Sequence, residues 1–293
     1  MDSGDLWAEV ALTPETLVGP RMAQVPAAAR VTDPTWSTYR VLAAVGGVEM
    51  INQFDALNAY DYGVISLGLF HWILGGGKGK GELGALLALL RARDPTAFES
   101  VMGRFGLRPT RQWGDPLMFD EALGTYNCEL EMRRADGLWD VVSTTKSADE
   151  KQWFRGWCWF YRLQMACRTN EPLRRVMWEM GRLRIRNILA LRWPDQDVTF
   201  AQIFTSERLV AMILRWHVNR PADLQNPESR LITRGLPAGS PANWSDAEDA
   251  VLEANIVAAS ESYDQLKTSI DEVRDNETLA HAHESFYPDW SGL

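Results

Sequence analysis

The sequence predicts a mainly α-helical fold, and three neighbouring stretches carry that prediction. Apolar residues recur at three- and four-residue steps from Tyr39 to Ile51, which is the spacing of one helix face. The run ELGALLALLRAR (82–93) is so apolar that it predicts a buried helix. Asp94 and Pro95 then supply the N-cap and the first-position proline of a further helix.

The second half of the chain extends this pattern. Helical periodicity returns from Lys151 and continues, with breaks, to Arg220. After the linker-like GLPAGSPANW (235–244), Ser245 and Glu248 form a capping box, which predicts one long acidic helix over roughly 246–283. We therefore predict three regions along the chain: an extended N-terminal arm (1–34), a principal helical domain (35–234), and a linker with an acidic C-terminal helix (235–293).

The composition of the chain limits the classes of partner that it can bind. The formal charge of −9 argues against nucleic acid as the main partner. The charge is uneven, because residues 151–220 hold thirteen Lys and Arg against five acids, whereas residues 244–293 hold twelve acids against two bases. A local basic surface can still attract an anionic polymer. Thirteen Trp residues either fill a large core or line a groove that stacks sugar rings.

Targeting signals and metal-binding patterns are absent from the sequence. The acidic N-terminus has no basic region followed by an apolar run, so we expect no signal peptide. No stretch approaches the ~18 apolar residues of a membrane span. We therefore expect a protein that is cytoplasmic as synthesised. The three Cys residues lack metal-like spacing, and we expect neither a metal site nor a cofactor.

One stretch, VEMINQFDALNAYDYGVISLGLFHW (48–72), combines a helix end with a cluster of polar groups. Glu49 falls near the apolar side of the first helix, in its last turn. A carboxyl group half-buried among apolar side chains has its charged form disfavoured, and the helix dipole at this end acts in the same sense. Both effects favour a general acid, so Glu49 is the leading catalytic candidate.

The residues after Glu49 supply further candidates. Gly63 and Gly68 bracket a short β-prone run, which predicts a small hairpin. That hairpin could hold a second carboxylate across a cleft from Glu49, together with a hydroxyl group, an imidazole and flat aromatic faces. The candidates are Asp61 and Ser66 for catalysis, and Tyr60, Tyr62, His71 and Trp72 for substrate binding. Asp61 in a Tyr-Asp-Tyr-Gly sequence is equally well explained as a turn residue.

This arrangement resembles the lysozyme-like superfamily, which contains phage and goose-type lysozymes, lytic transglycosylases and chitosanases. The resemblance covers about thirty residues. Glu49 corresponds to the catalytic acid of that family, Asp61 to its variable second acid and Ser66 to its hairpin hydroxyl. GLFHW (68–72) corresponds to the family's Gly-apolar-x-Gln element, with His71 in place of the usual glutamine.

The resemblance implies a lysozyme-like helical domain with a small β-hairpin beside an active-site cleft. It implies a glycoside hydrolase of lysozyme type, or a lytic transglycosylase, that cleaves β-1,4 links between amino sugars, with peptidoglycan as the first substrate and Glu49 as the general acid. Such an enzyme would be delivered or released to the cell wall, by a phage particle or by a secretion or injection apparatus. Hydrolysis and lytic cleavage, and retention and inversion, remain open.

Two alternatives accompany this interpretation. The chain could be a non-catalytic lysozyme-like structural or cargo protein that docks into a larger assembly through its acidic C-terminal helix. Burial of Glu49 against an arginine of 174–192, with no groove in front of it, would favour that alternative. A chitosanase-like activity on a cationic glucosamine polymer would need an acidic cleft. The near balance of charge over residues 1–243 makes that activity less attractive.

Overall fold

The computed structural model describes residues 10–50, 53–58, 63–75, 80–142, 154 and 156–293. This part of the chain is mainly α-helical with small antiparallel sheets, which confirms the predicted fold class at that level. Its α-helices are α1 (Pro14–Leu17), α2 (Pro34–Met50), α3 (Glu82–Arg93), α4 (Pro95–Val101), α5 (Trp157–Thr169), α6 (Glu171–Ala190), α7 (Phe200–Ile203), α8 (Glu207–Asn219), α9 (Asp246–Ser260) and α10 (Asp264–Arg274).

Nine short strands form three antiparallel sheets in the described residues. They are β1 (Leu57–Asn58), β2 (Ile65–Leu67), β3 (Trp72–Leu74), β4 (Lys80–Gly81), β5 (Leu107–Pro109), β6 (Phe119–Asp120), β7 (Thr125–Tyr126), β8 (Cys128–Arg133) and β9 (Trp139–Val142). The first sheet has the order β1-β2-β3. The second places β8 at its centre, paired with β4, β5 and β9, and the third joins β6 to β7.

Several helix boundaries follow from local sequence. The apolar run predicted as a buried helix forms α3 over the same residues, and all its residues from 83 to 90 are buried. The side chain of Asp94 accepts a hydrogen bond of 2.8 Å from the Ala97 amide, and Pro95 is the first residue of α4. The predicted capping box also forms, since the Ser245 amide donates to the Glu248 carboxylate at 2.8 Å.

The single C-terminal helix predicted over 246–283 is instead two helices, α9 and α10, followed by a non-helical tail. The Ser260 hydroxyl donates to the Val257 carbonyl at the end of α9. Tyr263 then packs edge-on against Trp216 of α8, with ring centroids 6.1 Å apart. The chain turns here because this packing directs Tyr263 inward, a requirement that the helical capping pattern does not contain.

The structure divides the chain into two compact units. Unit 1 comprises Met1–Gly19, Glu49–Asp120 and Thr125–Met180, and unit 2 comprises Pro20–Val48, Glu121–Gly124 and Gly181–Leu293. This division differs from the predicted arm, domain and linker, because each unit gathers residues from separate parts of the chain.

Each unit is organised around one buried helix. In unit 1, α3 packs against β3, β5 and β8, and the carbonyl of Cys128 comes so close to Gly84 that a Cβ there would lie 2.1 Å from its oxygen. In unit 2, α8 packs against α9 and α10 and buries all its residues from 209 to 217. Among the helices described, we find none with the length and apolar character needed to cross a membrane.

Candidate functional site

Glu49 lies in the last turn of α2, one residue before the helix ends. Its side chain is 12% exposed, so the carboxyl group is largely withdrawn from water but remains accessible. The helix C-terminus carries the negative end of the macrodipole, which disfavours an additional negative charge. These are the two local conditions that the sequence predicted for Glu49.

The turn between β2 and β3 presents His71 to Glu49. Gly68 and His71 both have left-handed backbone conformations, with φ of 76° and 47°, and the His71 amide donates to the Gly68 carbonyl at 2.8 Å. A Cβ at Gly68 would lie 2.7 Å from the terminal methyl group of Met177, the flexible end of that side chain, so the left-handed conformation rather than space favours glycine there. Histidine is one of the residue types that adopts this conformation more readily than most.

The Nδ1 atom of His71 lies 3.6 Å from the Oε2 atom of Glu49. This distance is within ion-pair range but longer than a hydrogen bond. The His71 side chain is 28% exposed, so solvent reaches the imidazole next to the carboxyl group. The pair therefore places a carboxyl group next to an imidazole, whose N–H group can stabilise a carboxylate.

Two predicted site residues lie in the core of unit 1. Trp72 is 1% exposed and packs against Phe70, with ring centroids 5.6 Å apart. Ser66 is also buried, and its hydroxyl donates to the Asn58 carbonyl at 3.5 Å within the sheet. A buried ring has no face for a sugar and a buried hydroxyl group has no access to one. We therefore assign Trp72 and Ser66 to the support of the sheet rather than to direct substrate contact.

The remaining predicted residues are Tyr60, Asp61 and Tyr62, and these lie outside the described residues. The distance from Glu49 to Asp61, which would distinguish retaining from inverting chemistry, therefore stays a prediction.

Asp55 is held in a buried ion pair that the sequence did not suggest. Its Oδ2 atom accepts hydrogen bonds from the Nε atom of Arg168 at 2.8 Å, and the Nη2 atom of Arg168 lies 2.6 Å away. Its Oδ1 atom is buried and has no hydrogen-bond partner among the described residues. Burial at 3% exposure removes this carboxylate from contact with a substrate, so Asp55 is a structural residue.

Two other groups were not among the predicted site residues. Glu207, in the first turn of α8, is a fully buried carboxylate of unit 2. Trp157, at the start of α5, is a highly exposed aromatic residue of unit 1. The sequence around Glu207 is typical of an ordinary helix start. Trp157 belongs to a run of five aromatic residues whose helical spacing predicts mostly core positions with one Trp on a cleft wall: Trp153, Trp157, Trp159, Phe160 and Tyr161. Which of them is exposed is decided by packing.

The described parts of the chain contain no group of three or more His, Cys, Asp or Glu residues placed to hold a metal ion.

No protein-family model, curated protein or solved structure matches the chain.

Proposed function

We propose that the protein is a glycosidase of lysozyme type that cleaves β-1,4 links between amino sugars, with peptidoglycan as its substrate and Glu49 as the general acid. The observation that carries the proposal is the position of Glu49. Its carboxyl group is 12% exposed at the end of an apolar helix, with the imidazole of a β-turn 3.6 Å away. This geometry agrees with the helix-and-hairpin resemblance of residues 48–72.

In the proposed reaction, Glu49 donates one proton and later takes one back. The protonated carboxyl group donates to the glycosidic oxygen as the bond between that oxygen and the anomeric carbon breaks, so that the departing sugar leaves as an alcohol. The positive charge that develops at the anomeric carbon is then quenched by water or by a hydroxyl group of the same sugar. In either case the attacking oxygen loses a proton, which returns to the Glu49 carboxylate.

His71 acts as a positioning residue in this scheme. As the proton leaves Glu49, negative charge develops on the carboxylate, and an Nδ1–H group on the imidazole would stabilise it. The left-handed conformation of His71 fixes the side chain at the tip of the turn, where it reaches the helix end. Because Asp55 is engaged by Arg168, the proposal uses Glu49 as its acid without a second carboxylate from Asp55.

The alternative of a non-catalytic scaffold predicts a glutamate that is sealed from solvent by an arginine. Glu49 instead retains solvent access and has a partly exposed histidine beside it. These two observations favour the enzymatic interpretation. The carrier that would bring the protein to the cell wall remains a prediction.

The test uses purified peptidoglycan sacculi and three forms of the full chain. We expect the wild-type protein to release soluble fragments, and Glu49→Gln to lower the rate by a factor of about 10² to 10⁴. Glu121→Gln is the matched control, because Glu121 is an exposed glutamate outside the site. Mass spectrometry of the products would distinguish reducing ends, formed by hydrolysis, from anhydro ends, formed by lytic cleavage. Undiminished release by Glu49→Gln would refute the role of Glu49, and no release by wild type would refute the activity.

A further inference from the structure

A second group of aromatic and basic residues lies elsewhere in unit 1, at the N-terminus of α5. Trp157 is 71% exposed, the largest exposure among the large apolar side chains described. It stacks on Tyr161, one helical turn later, with ring centroids 5.1 Å apart and planes inclined by 20°. Stacking fixes the orientation of the Trp157 ring, so that one flat aromatic face is held open to solvent.

Two arginines contact the ring of Phe105, which lines the same cavity as Trp157. The guanidinium carbon of Arg162 lies 3.3 Å from the centroid of the Phe105 ring and 4.9 Å from that of Trp159. The guanidinium carbon of Arg104 lies 4.6 Å from the same Phe105 centroid. Desolvation by burial, and then the positive charge of Arg104, lower the pKa of Arg162. Two cations therefore contact the same aromatic ring.

These two arginines form no ion pair with any residue in the described ranges, whereas most other arginines of unit 1 pair with a carboxylate. A cavity of about 450 Å³ opens between α4 and α5 at this point. Its described lining contains Arg104, Arg162 and Trp157, and it contains no acidic residue. Ser100 and Thr169 also line it, and their hydroxyl groups donate to carbonyl groups of their own helices. Trp157 also borders a second cavity of about 750 Å³.

These features define a ligand. A flat open indole ring stacks on the apolar face of a sugar, two guanidinium groups without an ion pair in the described residues bind a carboxylate, and the hydroxyl oxygens can accept hydrogen bonds from the sugar. A cavity of this volume is in the range of small-molecule sites. We propose that this cavity binds a sugar ring that bears a carboxylate, with the ring on Trp157 and the carboxylate on Arg104 and Arg162.

The choice of sugar rests on the proposed function, because N-acetylmuramic acid is an amino sugar that carries such a carboxylate wherever its lactyl group is not amide-linked to a stem peptide. The site would then hold glycan in unit 1 independently of the Glu49 carboxyl group. A nucleotide could use the same stacking and charge, but the net charge of −9 is unfavourable for a nucleic-acid-binding surface.

Calorimetric titration tests the proposal on the Glu49→Gln protein, in which turnover is suppressed. The probes are the disaccharide of N-acetylglucosamine and N-acetylmuramic acid, the neutral disaccharide of two N-acetylglucosamine units, and adenosine monophosphate. We expect the acidic disaccharide to bind about tenfold more tightly than the neutral one, as one charge-assisted contact would give. We expect Arg162→Gln and Arg104→Gln to remove that preference, and Trp157→Ala to weaken binding of both sugars.

The controls are Leu138→Ala and Arg192→Gln, which alter an exposed apolar residue and an exposed arginine elsewhere and should leave both affinities unchanged. The proposal is overturned if both disaccharides bind equally, if Trp157→Ala binds like the controls, if neither sugar binds, or if adenosine monophosphate binds more tightly than the acidic sugar. Cleavage of sacculi is measured separately. If Trp157→Ala binds the sugars as the controls do while the wild-type protein cleaves sacculi, this inference alone is overturned. If the sugars bind as expected but the wild-type protein does not cleave sacculi, the proposed function alone is overturned.

Discussion

Glu49 in unit 1 and Glu207 in unit 2 are both helix glutamates with little exposure, but their environments differ. Glu207 is fully buried and accepts hydrogen bonds from the Ser37 hydroxyl at 2.6 Å, from two nitrogens of Arg40, and from the Ala280 amide at 3.0 Å. Glu49 is 12% exposed and has a partly exposed imidazole 3.6 Å away. Burial alone therefore does not identify a reactive carboxylate. Solvent access and the chemical type of its neighbours make that distinction.

Glu207 joins separate parts of unit 2. Ser37 and Arg40 lie on α2, Glu207 begins α8, and Ala280 lies in the C-terminal tail. Donors from two parts of the chain converge on the carboxylate of a third, so its charge is compensated without solvent. The negative charge also lies in the first turn of α8, at the favourable end of the helix dipole. We therefore interpret Glu207 as a stabilising residue.

The largest expected effect contrasts these two glutamates directly. Glu207→Gln should lower the free energy of unfolding by about 3 kcal/mol, because Arg40 loses the carboxylate that compensates its charge. Glu49→Gln should change the same free energy by less than about 1 kcal/mol. Urea denaturation followed by circular dichroism measures both. A large loss of stability in Glu49→Gln would place Glu49 with the structural carboxylates and remove the basis of the contrast.

The second expected effect concerns Asp55, the buried acid near Glu49 in the sequence. Arg168→Met should destabilise the protein by about 2–3 kcal/mol, because the Asp55 carboxylate is left buried without its partner. Adding Asp55→Leu to that variant should recover part of the loss, since both charges are then absent. Denaturation of the two single variants and the double variant gives the coupling energy. Purely additive losses would show that the two side chains act independently.

The third expected effect tests His71 as the positioning residue for Glu49. His71→Leu should lower kcat on soluble glycan fragments about tenfold with little change in KM, because stabilisation of the developing carboxylate is lost. His71→Gln should retain activity within about threefold, since an amide N–H can replace the imidazole N–H. Steady-state kinetics separates the two parameters. Equal activity of the Leu and Gln variants would show that hydrogen bonding from residue 71 has no role.

The smallest expected effect is a dependence of the stability of unit 2 on pH. Complete burial and the nearby Arg184 lower the pKa of His217 well below its usual 6.5. Its Nδ1 atom accepts from the Nε atom of Arg184 at 2.9 Å, and its Nε2 atom lies 2.7 Å from the Leu123 carbonyl, to which it donates. Protonation would place an N–H group against the guanidinium.

The sign follows from the two protonation states. As pH falls through about 6.5, the unfolded chain binds a proton at residue 217 and the folded protein does not. The free energy of unfolding should therefore fall on acidification, with a slope of up to about 1.4 kcal/mol per pH unit from this residue. Urea denaturation at pH 7.5, 6.5 and 5.5 measures the slope, with His217→Gln as the comparison. The same slope in both proteins would exclude His217 as its source.

Local sequence predicted the helices well where capping and apolar content act within a few residues. The boundaries of α3 and the Asp94 cap of α4 are examples, as is the capping box at Ser245. The β-prone run between Gly63 and Gly68 was also expected, and it forms the middle strand of a three-stranded sheet. The break between α9 and α10 was not predicted, because it depends on the packing of Tyr263 against a distant residue.

In the candidate site, the position of Glu49 at a helix end could be predicted because the apolar period stops within one turn of it. The proximity of His71 was expected only in outline, since it requires the left-handed turn and the register of β2 and β3. The burial of Trp72 and Ser66 could not be predicted, because all three residues of β2 are buried, so burial in this sheet does not follow the alternation of faces that a sequence pattern shows.

The sequence by itself determined that this protein is mainly helical, where several of its helices begin and end, and that Glu49 closes an apolar helix before a short β segment. Those properties depend on hydrogen bonds and side-chain contacts between residues close in the chain. Only the tertiary structure decided that Glu49 faces His71, that Glu207 and Asp55 are neutralised by Arg40 and Arg168, and that Trp157 is open beside two arginines. Each of those outcomes depends on contacts between residues far apart in the sequence, where burial and charge compensation are set by the packing of whole elements.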